Sequence, residues 1–295
     1  MTKILVTGGK GFIGSHLIDA LLKQNYEVIT YDNTDKKVDY EGWGKVKHIQ
    51  GDIIDNDSIS KVIAKTDYIF HLAAVLGTSE TIENVRQAVD LNIIGALNVF
   101  DAIKKYRKRG QTITIGGIEW LNPYAITKLT AEKFALMYSK EFDLDIKVVR
   151  GFNTYGTRQK YKPVKKAVPN FILNALQNKP LEIYGDGKQI LDLVYVGDLV
   201  EVILRTMNFQ GEITHVIDAG TGVKITVNDL AQTIIKLTNS KSKLSYSPMR
   251  SGEPEHSITL GKLETLREIE YTPSTPLEKG LIITIPWYKE YLAKL

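Results

Sequence analysis

Three glycines in the run TGGKGFIG, Gly8, Gly11 and Gly14, stand between an apolar stretch of strand length at 3–7 and the helical pattern SHLIDALLKQ. In such a strand–turn–helix, Gly8 turns tightly and Gly11 lets a pyrophosphate approach the backbone. Gly14 lets the helix pack closely on the strand. The free N–H groups and positive end of the helix then face the phosphates. A second apolar run from Tyr26 ends at Asp32, about twenty residues on, where a carboxylate would hold a ribose 2′-hydroxyl. Together these residues point to a dinucleotide site.

A second constellation lies in NPYAITK. Asn122 is placed to cap a helix and Pro123 suits its first position. Tyr124 and Lys128 are four apart and share one helix face. A phenol ordinarily ionises near about pH 10. A neighbouring ammonium and a nicotinamide cation would favour the phenolate and make Tyr124 a base near neutrality. Tyr161/Lys165 and Tyr184/Lys188 have the same spacing, but they straddle proline- or glycine-containing loops and read as surface residues.

Strand-like runs near residues 46, 67, 111 and 145 alternate with helical patterns at 57–65, 85–108 and 125–142. The alternation predicts an α/β fold, a Rossmann-type doubly wound parallel sheet with helices on both faces. Ligands of such sheets bind at the carboxyl edge of the strands. Residues 1–155 read as the dinucleotide-binding domain. The chain from 156 to 295 reads mostly as a smaller α/β substrate-binding lobe. Part of 190–215 returns to the first domain, with 193–196 expected to rejoin the main sheet. The basic run at 104–110 reads as a helix end capped by Gly110.

With 295 residues the chain can bury a large core, and its net charge of +4 is spread out. That argues against a nucleic-acid role. There is no cysteine, so thiol chemistry is excluded, and the five histidines show no ligand spacing, so no metal is expected. With no apolar signal core and no run long enough to span a bilayer, a cytoplasmic protein is expected.

The chain resembles the extended short-chain dehydrogenase/reductase family, specifically its nucleotide-sugar epimerases and dehydratases. TGGKGFIG, GDI at 51–53, HLAAV at 71–75, the Asn92/Gly95 helix, YAITK, RGFNTYGTRQ at 150–159 and IYGDGKQILDLVYVGDL at 183–199 occur in family order. The resemblance implies NAD as cofactor, with Gly8, Gly11, Phe12, Ile13 and Gly14 cradling the pyrophosphate. It implies Asp32 and Asn33 at the adenosine ribose, with Lys36 and Lys37 leaving room for a 2′-phosphate. Asp52 and Ile53 would edge the adenine, and Leu72, Ala73, Ala74 and Asn92 would line the cofactor. Capping or turn roles compete for Asp52 and Asn92. Lys128 would bond the nicotinamide ribose and Tyr124 would be the acid/base. Thr78, Asn153, Val168, Gln189 and Arg250 would meet a UDP-, dTDP- or GDP-hexose. A homodimer across helices 85–108 and 125–142 is implied as well.

Three departures qualify the resemblance. The family's paired serines or threonines before the catalytic tyrosine are replaced by Gly116 and Gly117 in a severely shortened loop. Thr114 is near, but strand alternation turns it away. Glu119 falls close to a dehydratase acid/base glutamate, with a loop carboxylate as the equal alternative. Leu191 replaces an arginine that contacts diphosphate or ribose, and Lys165, Lys166 and Lys188 are the candidates to compensate. Three readings remain open. The first is NAD-dependent epimerisation through a transient 4-keto sugar, with Tyr124 as acid/base. The second is a dehydratase using Glu119, and the third a catalytically impaired protein that binds NAD or a sugar nucleotide.

Overall fold

The run KILVT forms β1 (Lys3–Thr7), with Ile4 and Val6 packed into one layer and Leu5 into the other. A strand apolar on both faces must be covered by helices on both faces. This computed structural model describes residues 1–35, 38 and 42–294. In chain order β1 is followed by α1 (Phe12–Lys23), β2 (Glu27–Asp32), β3 (Lys47–Gln50), α2 (Asn56–Ile63), β4 (Tyr68–His71), α3 (Val85–Val89), α4 (Gly95–Tyr106), β5 (Arg109–Ile115), α5 (Pro123–Phe142) and β6 (Ile146–Gly151). Then come β7 (Asn153–Tyr155), α6 (Ala167–Leu176), β8 (Leu181–Tyr184), β9 (Ile190–Leu191), β10 (Leu193–Tyr195), α7 (Val196–Asn208) and β11 (Val216–Ala219). The chain finishes with β12 (Ile225–Thr226), α8 (Val227–Thr238), β13 (Leu244–Ser247), β14 (Ile258–Thr259), α9 (Glu264–Glu268) and α10 (Leu277–Ala293).

The main sheet has seven strands in the order β11-β6-β5-β4-β1-β2-β3, all parallel. One face is covered by α1 and α7 through Leu17, Ile18, Leu21, Val200 and Ile203. The other is covered by α2, α4 and α5 through Ile59, Ile63, Phe100, Ile103, Ala131 and Ala135. The strand order reverses at β1, between β2 and β4, which opens a crevice at the carboxyl edge. A separate apolar cluster joins α6, α8 and α10 and builds the smaller lobe around Phe171, Ile172, Leu230, Ile234 and Leu281.

Three expectations are corrected. Residues 193–196 do not rejoin the main sheet. Leu193–Tyr195 pairs only with β7, and it is Val216–Ala219 that extends the main sheet beside β6. The helix expected over 85–108 is divided by a π-helical turn at Asp90–Ile94. Inside that turn Asn92 reaches inward, binding the Val75 N–H at 2.9 Å and the Val75 carbonyl at 3.2 Å. The cap of α4 is Arg107 in the left-handed region, φ 50°, not Gly110. Gly110 lies in β5, where a Cβ would stand 2.7 Å from the Ile103 side chain, so close helix packing explains this glycine. The Arg107 guanidinium donates instead to the carbonyls of Phe142 and Asp143 at the end of α5. No helix among the described residues is long and apolar enough to cross a membrane.

Asp192, between β9 and β10, ties the two parts together. Its buried carboxylate accepts from the Thr221 N–H and hydroxyl, at 2.7 and 2.6 Å, and from the N–H groups of Gly222 and Gly261, both at 3.0 Å. Replacing it with alanine leaves four donors without this acceptor, at up to about 1 kcal/mol for each because Gly222 is exposed and Thr221 and Gly261 are half-buried. Asp192→Ala is expected to lose roughly 3–4 kcal/mol in urea unfolding. A loss below about 1 kcal/mol would show that the latch is dispensable.

Candidate active site

The carboxyl edge of the main sheet opens into a cavity of about 850 Å³ shared with the smaller lobe. Every strand end that meets it carries a residue singled out by the sequence. Gly8, Gly11, Phe12, Ile13 and Gly14 follow β1, Asp32 ends β2 and Asn33 follows it, and Asp52 and Ile53 follow β3. Leu72, Ala73, Ala74 and Thr78 follow β4, while Asn153 lies just beyond β6. Tyr124 and Lys128 of α5, Val168 of α6, Gln189 and Arg250 complete the lining.

The turn after β1 has no room for side chains. Gly8 has φ +68°, and a Cβ there would lie 2.8 Å from the Ala73 backbone nitrogen. A Cβ on Gly14 would lie 2.5 Å from the Gly8 carbonyl oxygen. The helix α1 begins without a side-chain cap, so its first N–H groups and dipole remain available to an anion. Asp32 is fixed by N–H groups from Lys10 at 3.0 Å and Thr34 at 3.2 Å, which leave its oxygens further lone pairs. A narrow glycine cradle, an uncapped helix start and an oriented carboxylate fit a dinucleotide. Lys36 and Lys37 lie outside the described residues.

Asn122 caps α5, its side-chain oxygen accepting from the Ala125 N–H at 2.9 Å, and Pro123 follows as expected. One turn of helix then brings Tyr124 and Lys128, both buried, to the cavity wall. Burial pushes the Tyr124 phenol up, not down. The cause in the chain by itself is desolvation of the ring, whereas the phenolate is expected with both the ammonium and a nicotinamide cation beside it. Burial also lowers Lys128 to about 8, opposed by the Glu132 carboxylate one turn further on. The Lys128 ammonium donates to the Ile113 carbonyl at 2.6 Å. Glu132 is fully buried and accepts from the Thr114 hydroxyl at 2.9 Å and from Arg150 Nε at 2.8 Å. Thr114 is thus turned to Glu132, in line with strand alternation.

On the lobe side the charges interlock. Arg150 stays with the sheet, whereas Arg250 binds Glu80 at 2.8 Å and Glu253 at 3.3 Å, and Glu253 accepts from the Thr78 hydroxyl. Hydrogen bonds from the Lys165 N–H and from Arg250 outweigh the burial of Glu80 and lower its carboxyl. Lys165 is exposed, as its reading as a surface residue has it, and donates to the Tyr184 hydroxyl at 2.7 Å; both residues also line the cavity. Lys188 is exposed, beside Asp186. Lys166 lines the cavity half-buried; its carbonyl accepts from Asn170, and its ammonium lies in the field of Glu80 and Glu253 but makes no hydrogen bond or ion pair among the described residues. Gln189 donates to the Tyr184 carbonyl, and its buried oxygen has no hydrogen-bond partner among the described residues.

Two predicted site residues stand apart from the rest. Glu119 is exposed and does not line the cavity, because the short loop after β5 carries it outward. Asn92 is buried behind the wall, bound to Val75 and to the Thr127 hydroxyl at 3.0 Å, so its observed contacts are structural. Sequence reasoning passed over Trp120, Phe152 and Thr259, which do line the cavity. An aromatic residue beside two glycines in a short strand-to-helix connection was the available signal for Trp120.

A sequence profile of the NAD dependent epimerase/dehydratase family matches residues 4–220. The chain is 33% identical over 320 residues to a UDP-N-acetyl-alpha-D-glucosaminuronate decarboxylase of Bacillus cytotoxicus, covering 98% of each. It is similar to the crystal structure of a UDP-glucose 4-epimerase with UDP-glucose from Thermotoga maritima, with a TM-score of 0.92 and 28% identity over 99% of this chain and 100% of that one. It is also similar to a UDP-glucuronic acid 4-epimerase from Bacillus cereus in complex with UDP-glucuronic acid and NAD, with a TM-score of 0.88 and 26% identity, covering 98% and 100%.

The lowered Lys128 links the site to stability. Its folded value of about 8 lies below the ordinary 10.5, so between those limits the unfolded chain binds more protons. Its contribution is full above about 10.5 and falls away as the pH drops to about 8. Urea unfolding should show wild type gaining stability relative to Lys128→Met across that window and running parallel to it below. Parallel curves throughout would mean that the ammonium is not desolvated.

Proposed function

The chain belongs to the NAD-dependent epimerase/dehydratase family, and on that premise we propose that it holds NAD and acts on carbon 4 of the sugar of a UDP-sugar. The observation that carries this reading is one continuous cavity. It joins the glycine cradle and Asp32 to Tyr124 and Lys128, and these to Val168 and Arg250 of the smaller lobe. When bound, NAD supplies a two-electron acceptor that takes hydride from the sugar and returns it. Gly8, Gly11 and the start of α1 would hold its pyrophosphate, and Asp32 its ribose.

The chain's own residues then handle the proton and the charge. Tyr124 accepts the proton of the sugar 4-hydroxyl and later gives it back. Because burial raises the phenol, Tyr124 needs a fixed positive charge to act as base. Lys128, an ammonium below about pH 8, is that charge. Lys166 is the cation we assign to the diphosphate in place of the arginine replaced by Leu191, since its ammonium makes no hydrogen bond or ion pair among the described residues, whereas Arg250, Lys165 and Lys188 do. With NAD bound, delivery of hydride to the opposite face would give the 4-epimer, the preferred reading. A second reading, decarboxylation of a UDP-uronic acid, is favoured by the 33% identity to the Bacillus cytotoxicus decarboxylase. Water loss with Glu119 as the acid has no support from the exposed position of that side chain.

Proton NMR with UDP-glucose, UDP-glucuronic acid and UDP-N-acetylglucosaminuronic acid in D₂O separates the readings. Epimerisation gives a new anomeric signal without deuterium uptake. Decarboxylation removes carbon 6 and gives a pentose. Tyr124→Phe is expected to lower turnover of the active substrate by about 10³-fold or more while still binding it, and Lys166→Met to raise KM about tenfold. No turnover of any substrate by NAD-loaded protein would favour the non-catalytic reading.

We also propose a homodimer across α3, α4 and α5. Val85, Val89, Ile126 and Met137 leave large apolar side chains exposed on these helices. Light scattering over a concentration series is expected to give twice the chain mass. A monomer at every concentration would reject the dimer.

A further inference from the structure

The connection from β5 to α5 carries one of the departures from the family pattern. Gly116 and Gly117 stand where paired hydroxyl residues are expected, and neither leaves room for a side chain. A Cβ on Gly116 would lie 2.5 Å from the Phe152 ring and 3.0 Å from the Thr259 methyl. Gly117 has φ +70°, and its Cβ would lie 3.2 Å from the Trp120 indole. The Trp120 N–H donates to the Gly117 carbonyl at 3.2 Å, closing a tight turn that folds the indole back over the glycine. The space of two hydroxyl side chains is thus occupied by two aromatic rings, and both rings line the cavity that contains Tyr124.

The two rings are not equivalent. Phe152 also packs against the core of the main sheet. Trp120 is half-buried on a short loop, and its indole N–H donates to no group among the described residues. A half-buried indole at a cavity wall presents an apolar face together with a free donor. An indole N–H cannot accept a proton, so it cannot replace a hydroxyl as a relay. It can replace one as an orienting surface.

We propose that Trp120 is a substrate-positioning residue, its indole forming the wall against which the C–H face of the hexose stacks. The inference rests on the UDP-sugar reading above and extends it to how the sugar is held. A hydroxyl hydrogen bond fixes one direction, whereas an aromatic face orients by area and weak C–H contacts. Such a wall accepts either configuration of a ring hydroxyl. It also leaves Tyr124 to exchange its proton with the sugar oxygen directly, without an intervening serine or threonine.

Calorimetry on NAD-loaded protein with UDP and with UDP-glucose or UDP-glucuronic acid tests this. Trp120→Ala is expected to weaken the UDP-sugar about tenfold while UDP changes less than about twofold. Trp120→Phe, which keeps a ring, should recover most of the loss. In wild type the UDP-sugar, and not UDP, should change the tryptophan emission, and Trp120→Phe should abolish that change although Trp43 and Trp287 remain. Equal weakening of UDP and UDP-sugar, or no weakening of either, would overturn the role of Trp120. Failure of wild type to bind any of these ligands would overturn the UDP-sugar reading itself and Trp120 with it.

Discussion

A lysine ammonium buried at the foot of the cavity must be compensated, and the compensation runs through the sheet. Lys128 is answered by the Ile113 carbonyl and by Glu132, and Glu132 by Arg150. Arg150 in turn reaches Asp218 at 3.5 Å, on the strand added last to the sheet. The alternating charges Lys128, Glu132, Arg150 and Asp218 thereby link α5, β6 and β11. Removing one member leaves a buried charge unanswered, which commonly costs about 3–5 kcal/mol. The position of Tyr124 depends on this chain because Tyr124 and Lys128 share one turn of α5. The same network occupies Thr114, which is therefore not available as a donor to a ligand.

The two lobes contribute unlike parts. The parallel sheet supplies uncapped backbone at α1, the Asp32 carboxylate and the Tyr124–Lys128 pair. The smaller lobe supplies charge in a mostly neutralised form, with Arg250 between two glutamates and Lys165 against Tyr184. Among the described residues, the Lys166 ammonium and the buried oxygen of Gln189 make no hydrogen bond on that side. The four hydrogen bonds of Asp192 hold the turn between β9 and β10 to the loop after β11 and to Gly261.

Much of this was legible in the chain. The glycine spacing, the carboxylate after the second strand and the Asn-Pro start of α5 are local features, decided within a few residues. They were found where the sequence put them. The reading failed where distant segments compete. Leu193–Tyr195 has a strand's composition, but it pairs with β7 outside the main sheet. Gly110 looked like a helix cap, yet Ile103 packs where its side chain would be. Glu119 had a suggestive neighbourhood, and a shortened loop turned it to solvent.

The sequence by itself determined the kind of site. Glycines that permit close approach, an uncapped helix start, and a phenol and an ammonium four residues apart are properties of residue type and spacing, and local geometry follows from them. Tertiary structure alone decided which groups face the ligand and in what state. Burial raised the Tyr124 phenol and lowered Lys128, Glu80 and Glu253 claimed Arg250, and Trp120 and Phe152 filled the space above two glycines. Desolvation and contact between segments far apart in the chain set those outcomes, and neither is encoded within any one stretch of residues.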